Sequence, residues 1–389
     1  MTAAIRRPIR LLLAAALLLA LGAAALAGVG WYYADALKSG ALVPDHDQPI
    51  FDLRVVAVDG EKITLEATDE TDTEGDWVRD GIFGLEWSGG YGQVGDILER
   101  SGETEVRRFF PLTATPAVGV SARLDSFAFP ADPLEAHGIG FQEVSYDSPL
   151  GEFPAWFIAG ERDTWAIFVH GKGADRREAL RALPVFRDLG YPALVITYRN
   201  DEGVQEGPDG LYRYGADEWE DLEGAVSYAF AHGAAGVVLV GYSMGGGIVS
   251  SFLYRSALAG SVGAVVLDAP MLDFEATVDW GARDRFAPWP IKPIGKQIAA
   301  WRFDIDWAAV DYLAQAGGLS APVLLFHGDG DPKVPVSTSD ELADMRPDIV
   351  TYVRVPGAGH VRSWNADPEA YETALREFLG PVPGVAITR

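Results

Sequence analysis

Residues 237–255 read VVLVGYSMGGGIVSSFLYR. Val237–Gly241 is a short apolar run rich in β-branched residues, the signature of a buried strand. It ends on Gly241-Tyr242-Ser243-Met244-Gly245, and Gly246, Gly247 and an apolar helical run follow. This is G-x-S-x-G at the junction of a strand and a helix. A serine on so sharp a turn holds its Oγ above the edge of a sheet, and Gly241 and Gly245 relieve the crowding that the turn creates. In a chain with 44 glycines the bare pattern carries little, but its place between strand and helix makes Ser243 a candidate nucleophile.

The same texture extends on both sides. Trp165–Val169, Ala193–Thr197, Ala264–Leu267, Val323–Phe326 and Thr351–Val355 are further apolar runs. They alternate with helical stretches at Arg176–Leu189 and Ala216–Phe230, where Trp219, Leu222, Val226 and Phe230 share one face. Strands alternating with amphipathic helices predict an α/β domain, a mostly parallel sheet flanked by helices. Ligands of such sheets bind beyond the carboxyl ends of the strands.

A serine hydroxyl needs a base and an acid that orients the base. The strand Val323–Phe326 runs into HGDGDPKVP (327–335), and Thr351–Val355 runs into PGAGH (356–360). Both turns should project onto the edge that carries Ser243. His360 is the expected base and Asp331 the expected acid, with Asp329 in the same turn and Asp268 at the end of Ala264–Leu267 as competing acids. His327 is expected to make local hydrogen bonds at the end of its strand. Trp165–Val169 leads into HGKG (170–173), a loop able to aim backbone N–H groups at an oxyanion. The expected donors are the N–H groups of Lys172 and Met244.

With HGKG, GYSMG, HGDGDPKVP and GAGH in this order, the chain resembles the α/β-hydrolase superfamily over roughly residues 140–389, in the branch of serine esterases, lipases and serine aminopeptidase-like enzymes. The resemblance implies an α/β-hydrolase fold with Ser243 as nucleophile, Asp331 as acid and His360 as base. It further implies a small helical cap inserted at about 271–320, rich in aromatics: Trp280, Phe286, Trp289, Trp301, Phe303 and Trp307, broken by Pro288, Pro290 and Pro293. These either line an acyl site or pack the cap onto the core. Lys172 departs from the glycine or apolar residue common at its place; its side chain either biases the site toward anionic or polar substrates or faces solvent. Cleavage of a small or lipid-like carboxylic ester through an acyl-enzyme is the expected reaction. Peptide or amide cleavage by the same residues is the alternative, and a surface binding protein on an inactive scaffold is the other class.

Composition narrows the field. The formal charge of −25 argues against a nucleic-acid partner. Cysteine is absent, which excludes disulfides, thiolate metal sites and cysteine nucleophiles. No metal-ligand spacing such as H-E-x-x-H occurs, so no metal or cofactor is expected. The acidic stretch Asp69–Asp76 lacks the spacing of a calcium loop. Gly90–Gly95 matches G-x-G-x-x-G without the context of a dinucleotide site and reads as a turn.

At the amino end, Arg6, Arg7 and Arg10 precede the 23 uncharged residues Leu11–Tyr33. That is enough to span a bilayer core of ~30 Å. Trp31, Tyr32 and Tyr33 suit the interface. The basic residues should stay in the cytoplasm, leaving a single-pass chain with its catalytic domain outside. Cleavage after Ala25-Leu26-Ala27, giving a secreted protein, is the alternative. The expected organisation is an anchor at 1–34, a linker at 35–50, a β-rich module at 51–138 and the hydrolase domain at 139–389. Phe51–Val58 and Lys62–Ala67, joined at Asp59-Gly60, form a hairpin within the module, and Gly81–Trp87 and Glu105–Phe110 are further strands.

Overall fold

The computed structural model describes residues 3–46, 48–283 and 291–380. Phe286, Pro288, Trp289 and Pro290, assigned above to the cap, lie outside the described residues.

The large domain is an eight-stranded sheet. Its strands are β7 (Gln142–Ser148), β8 (Gly151–Ile158), β9 (Thr164–Val169), β10 (Ala193–Ile196), β11 (Gly236–Tyr242), β12 (Val262–Asp268), β13 (Val323–Gly328) and β14 (Val350–Val355), in the spatial order β14-β13-β12-β11-β9-β10-β8-β7. β9 through β14 run parallel; β8 and β7 add an antiparallel edge that the sequence reading leaves out. Register explains why the strands read as unbroken apolar runs. Ile167, Leu239, Val265 and Val323 pair across four strands and face one core, while Phe168, Val240, Val266 and Leu324 face the other. The first core is closed by α4 (Trp219–Ala231) and α5 (Met244–Arg255), the second by α3 (Leu183–Asp188) and α10 (Pro368–Leu379). Between β12 and β13 lies the cap, built of α6 (Phe274–Gly281), α7 (Ile291–Phe303) and two 3-10 turns.

The module before it is a closed six-stranded antiparallel barrel: β1 (Leu53–Asp59), β2 (Lys62–Ala67), β3 (Phe83–Trp87), β4 (Gly90–Ser101), β5 (Thr104–Pro111) and β6 (Ser121–Asp125), ordered β1-β2-β5-β4-β3-β6. Closure leaves no free edge. The turn expected at Gly90–Gly95 is instead the first half of β4, because Tyr91 and Val94 are buried and the segment pairs with β3. Inside, the fully buried Arg107 meets Glu105 at 2.9 Å and also donates to the carbonyls of Trp77 (2.6 Å) and Arg79 (3.0 Å). It thereby fixes residues 76–79 at the end of the barrel nearest the hydrolase domain.

The chain begins with α1 (Ala3–Leu37), continued by a π-helical turn at Lys38–Leu42. Leu11–Leu42 is long and apolar enough to cross a membrane. Its leucines from Leu11 to Leu26 stand exposed, whereas Ala34 and Leu42 are buried. The residues read as a linker therefore differ from expectation: helix runs through 35–42 and packs on the body. The cap receives it. Gly30 and Gly295 lie against each other, so that a Cβ on Gly30 would come within 2.6 Å of Ile294. Arg302 of α7 pairs with Asp35 at 2.8 Å and lies over Trp31. Trp301, counted among the cap aromatics, meets Trp31 edge to face.

Candidate active site

Ser243 sits between β11 and α5 with φ 50° and ψ −117°, a conformation an L-residue adopts only under strain. The surroundings enforce it. Ser243 N–H donates to the Asp268 carbonyl (3.0 Å), while its own carbonyl accepts from Gly246 and Met271 (2.9 Å each). A Cβ on Gly245 would come within 2.2 Å of the Val169 carbonyl, so only glycine lets α5 start here.

The three residues singled out in the sequence meet. Ser243 Oγ lies 2.8 Å from His360 Nε2, and His360 Nδ1 lies 2.7 Å from Asp331 Oδ2. An Nδ1–H donated to the carboxylate leaves Nε2 as the acceptor for the serine hydroxyl. The second oxygen of Asp331 accepts the N–H groups of Lys333 (2.7 Å) and Val334 (2.9 Å). Burial alone would raise the Asp331 carboxyl, but His360, His327 and the Val334 N–H outweigh it and hold the group well below the usual range. Burial pushes His360 the other way, below the ordinary imidazole value; Asp331 opposes this, while Lys333 and Arg362 reinforce it.

The competing acids are occupied elsewhere. Asp329 accepts from Gly357 N–H at 2.7 Å and ties the two loops together. Asp268 accepts from Ser363 Oγ at 2.8 Å, and burial pushes its carboxyl up to about 6. His327 does more than make local bonds: fully buried, it meets Asp331 at 3.2 Å and Ser339 Oγ at 2.7 Å, supporting the acid from beneath.

In the HGKG loop, Lys172 follows Gly171, where a Cβ would stand 2.9 Å from that of Ser243. Among the described residues neither Lys172 N–H nor Met244 N–H has a protein acceptor. The loop is held by residues that sequence reading missed. Gly171 N–H donates to buried Glu178 (2.7 Å), and His170 bonds Asp201 (2.9 Å) and stacks on Tyr198. Burial disfavours a charged His170, but Asp201 overrides it and pushes the imidazole up to about 9. The barrel was missed too. Arg79 donates to the carbonyls of Gly357 (2.6 Å) and Gly330 (3.3 Å), and Asp76 pairs with Arg362, which donates to the His360 carbonyl (2.9 Å). One end of the barrel thus grips both the acid and the histidine loops.

Ser243 and His360 open into a cavity of about 650 Å³. The cap contributes Phe274 and Val278, and the barrel side contributes Ser126 and Phe127. α1 and its π turn form another wall, through Tyr33, Ala36, Leu37, Gly40 and Ala41. Of the cap aromatics expected here, Trp280, Trp301, Phe303 and Trp307 do not line it; Phe274, not foreseen, does. Lys172 lines the cavity and is not fully exposed.

Comparison with known proteins follows the same division. A family model described as "Alpha/beta hydrolase family" matches residues 166–374, and one described as "Domain of unknown function (DUF8805)" matches residues 54–125, the barrel. The chain is 27% identical over 221 residues to the uncharacterized protein YqkD of Bacillus subtilis, covering 55% of this chain and 70% of that one. Among solved structures it is similar to the Pyrococcus furiosus esterase Pf2001, with TM-score 0.51 and 19% identity over 64% of this chain and 96% of the esterase. The acylaminoacyl peptidase of Pyrococcus horikoshii gives TM-score 0.50 and 15% identity over 90% of this chain and 69% of the peptidase. At these identities the likeness to the solved structures is one of fold.

Proposed function

The chain belongs to the alpha/beta hydrolase family, and we propose that it is a membrane-anchored serine hydrolase that cleaves a carboxylic ester through an acyl-enzyme on Ser243. The observation that carries this reading is the pair of contacts joining Ser243, His360 and Asp331 at 2.8 Å and 2.7 Å. In the proposed cycle, Ser243 Oγ adds to the ester carbonyl carbon as its proton passes to His360 Nε2. The oxyanion takes the N–H groups of Lys172 and Met244, aided by the positive end of α5. Collapse breaks the carbon–oxygen bond, and the alcohol leaves with the proton from Nε2. Water then adds to the acyl carbon and gives a proton to Nε2. Ser243 Oγ is expelled, takes that proton back, and the carboxylic acid is released.

An ester fits the cavity better than a peptide with a free amine, which would need an unengaged carboxylate. Of the carboxylates lining the cavity, Glu178 is held by Gly171 N–H and Asp279 by Lys296, while Asp45 faces Lys172. The exposed leucines of α1 support membrane anchorage, and the amino-terminal arginines support an extracytoplasmic catalytic domain.

The test is intact-protein mass spectrometry after incubation with a fluorophosphonate. The expected result is one adduct on the wild type and none on Ser243→Ala, with ester turnover in the variant falling on the order of a million-fold. An unlabelled, folded wild type overturns the reading.

A further inference from the structure

The chain contains six lysines, and four of them line the active-site cavity: Lys172, Lys292, Lys296 and Lys333. Among the described residues three acidic side chains do so, Asp45, Glu178 and Asp279. On a molecule of formal charge −25 this is a reversal of sign at one place. Arg362 adds a further cation. Lys296 is matched by Glu275 (2.6 Å) and Asp279 (2.9 Å). Lys292 and Lys333 have no salt bridge among the described residues; Lys172 has none either, though Asp45 faces it. Lys172 follows Gly171 and Lys333 lies two residues past Asp331, and both line the cavity that Ser243 and His360 open into. Burial lowers the Lys172 ammonium; Asp45 opposes this and the repulsion of Lys333 adds to it. Cations held together at a cost to each other are a receptor for an anion.

The second observation is the wall opposite. Tyr33, Ala36, Leu37, Gly40 and Ala41 line this cavity and continue, without a break in the helix up to Leu37, from the exposed apolar stretch Leu11–Val29. From Val29, the end of that stretch, Tyr33, the first residue of α1 on the cavity wall, is about 6 Å further along the axis at 1.5 Å per residue. A bilayer that holds Leu11–Val29 therefore ends about one helical turn from the cavity wall.

We propose that the substrate is an ester-bearing amphiphile with an anionic headgroup, drawn from the leaflet along α1, its headgroup taken by Lys172, Lys292 and Lys333. This rests on the serine-hydrolase reading above. The leaflet supplies the apolar part at the helix wall, and the lysines select among headgroups that the leaflet presents.

The experiment uses the full chain in vesicles of equimolar phosphatidylglycerol and phosphatidylcholine, with the fatty acid released from each lipid measured by mass. Short-chain phosphatidylglycerol dissolved as monomer and p-nitrophenyl butyrate are measured alongside. The expected result is cleavage of phosphatidylglycerol at least about fivefold faster than phosphatidylcholine, the contribution of one lysine near an anionic group. Lys292→Gln with Lys333→Gln should bring the ratio close to one. Gly30→Leu, which crowds α1 away from α7, should slow hydrolysis of vesicle lipid more than that of the monomeric lipid. Turnover of the butyrate with equal rates on the two lipids, or with neither cleaved, overturns the substrate class while leaving the serine reading intact. An equal effect of Gly30→Leu on vesicle and monomeric lipid overturns delivery along α1. Failure to turn over the butyrate or to take up a fluorophosphonate overturns the serine reading and this inference with it.

Discussion

In the proposed cycle His360 must be neutral at Nε2 to accept the serine proton, and as pH rises its surroundings make it neutral earlier than a free imidazole. Burial, Lys333 and Arg362 together outweigh Asp331 and lower its pKa from the ordinary value. The sign follows directly: a lowered value moves the midpoint of the rising limb of kcat/KM below the value of about 6.5 of a free imidazole. A pH series with a soluble ester checks this; a limb centred above 6.5 contradicts it. His170 has the opposite displacement, up to about 9. A raised value means that the His170–Asp201 pair stabilises the fold fully below about pH 6.5 and loses that contribution as pH rises through about 9. The Tm of the wild type should therefore fall across this window more steeply than that of Asp201→Asn, as calorimetry would show. At this scale Ser243, Asp331 and His360 were legible because each ends a strand inside its own turn signal. Glu178, Asp201 and Arg79 were not, since each acts on a loop reached only through the fold, Arg79 on Gly357 at the far end of the chain.

Among elements, the barrel offers the clearest case of structure adding what composition hid. Its first hairpin reads from two β-propensity runs split by Asp59-Gly60, yet Gly90–Gly95, the first half of β4, reads as a turn because glycines 90, 92 and 95 break the propensity pattern. Nothing in those strands announces that residues 76–79 clamp the acid and histidine loops. Arg79 is a positioning residue, and Arg79→Ala should lower kcat about tenfold, in line with loss of a charged hydrogen bond. KM should hold, and Arg79→Lys should recover part of the loss. Counting competent sites with a fluorophosphonate run to completion separates this from a general loss of folded protein: kcat per labelled site should fall about tenfold, whereas partial unfolding lowers the number of labelled sites and leaves kcat per site unchanged. The cap tells a related story. Its aromatics left an acyl lining and packing of the cap equally open, and Trp301 packs against Trp31 while Arg302 pairs with Asp35.

For the whole molecule, the membrane segment and the catalytic domain were read as separate parts joined by a polar tether. What joins them is visible in hindsight as two small-residue pairs, Gly30 with Ala34 and Gly295 with Ala299, each four apart on its helix, the spacing that lets two helices approach closely. Neither pair alone pointed to the other. If Leu11–Val29 lies in the bilayer with the arginines inside, the chain should stay with membranes through alkaline carbonate extraction. The domain should then be digested by protease added to spheroplasts while a tag at residue 1 survives. Digestion of the tag would reverse the orientation.

If Leu11–Val29 lies in a bilayer, the unbroken passage from α1 into the cavity wall also gives the hydrolase domain a posture. A domain on a flexible leash sweeps a hemisphere and samples whatever lies within its radius. One mounted on a stiff stalk that is also part of its own doorway can only spin about the membrane normal and glide with the lipids. Its working height is set by the residues between Val29 and Leu42. Substrates held away from the bilayer stay out of reach however abundant they are, and those in the leaflet are met by diffusion in two dimensions.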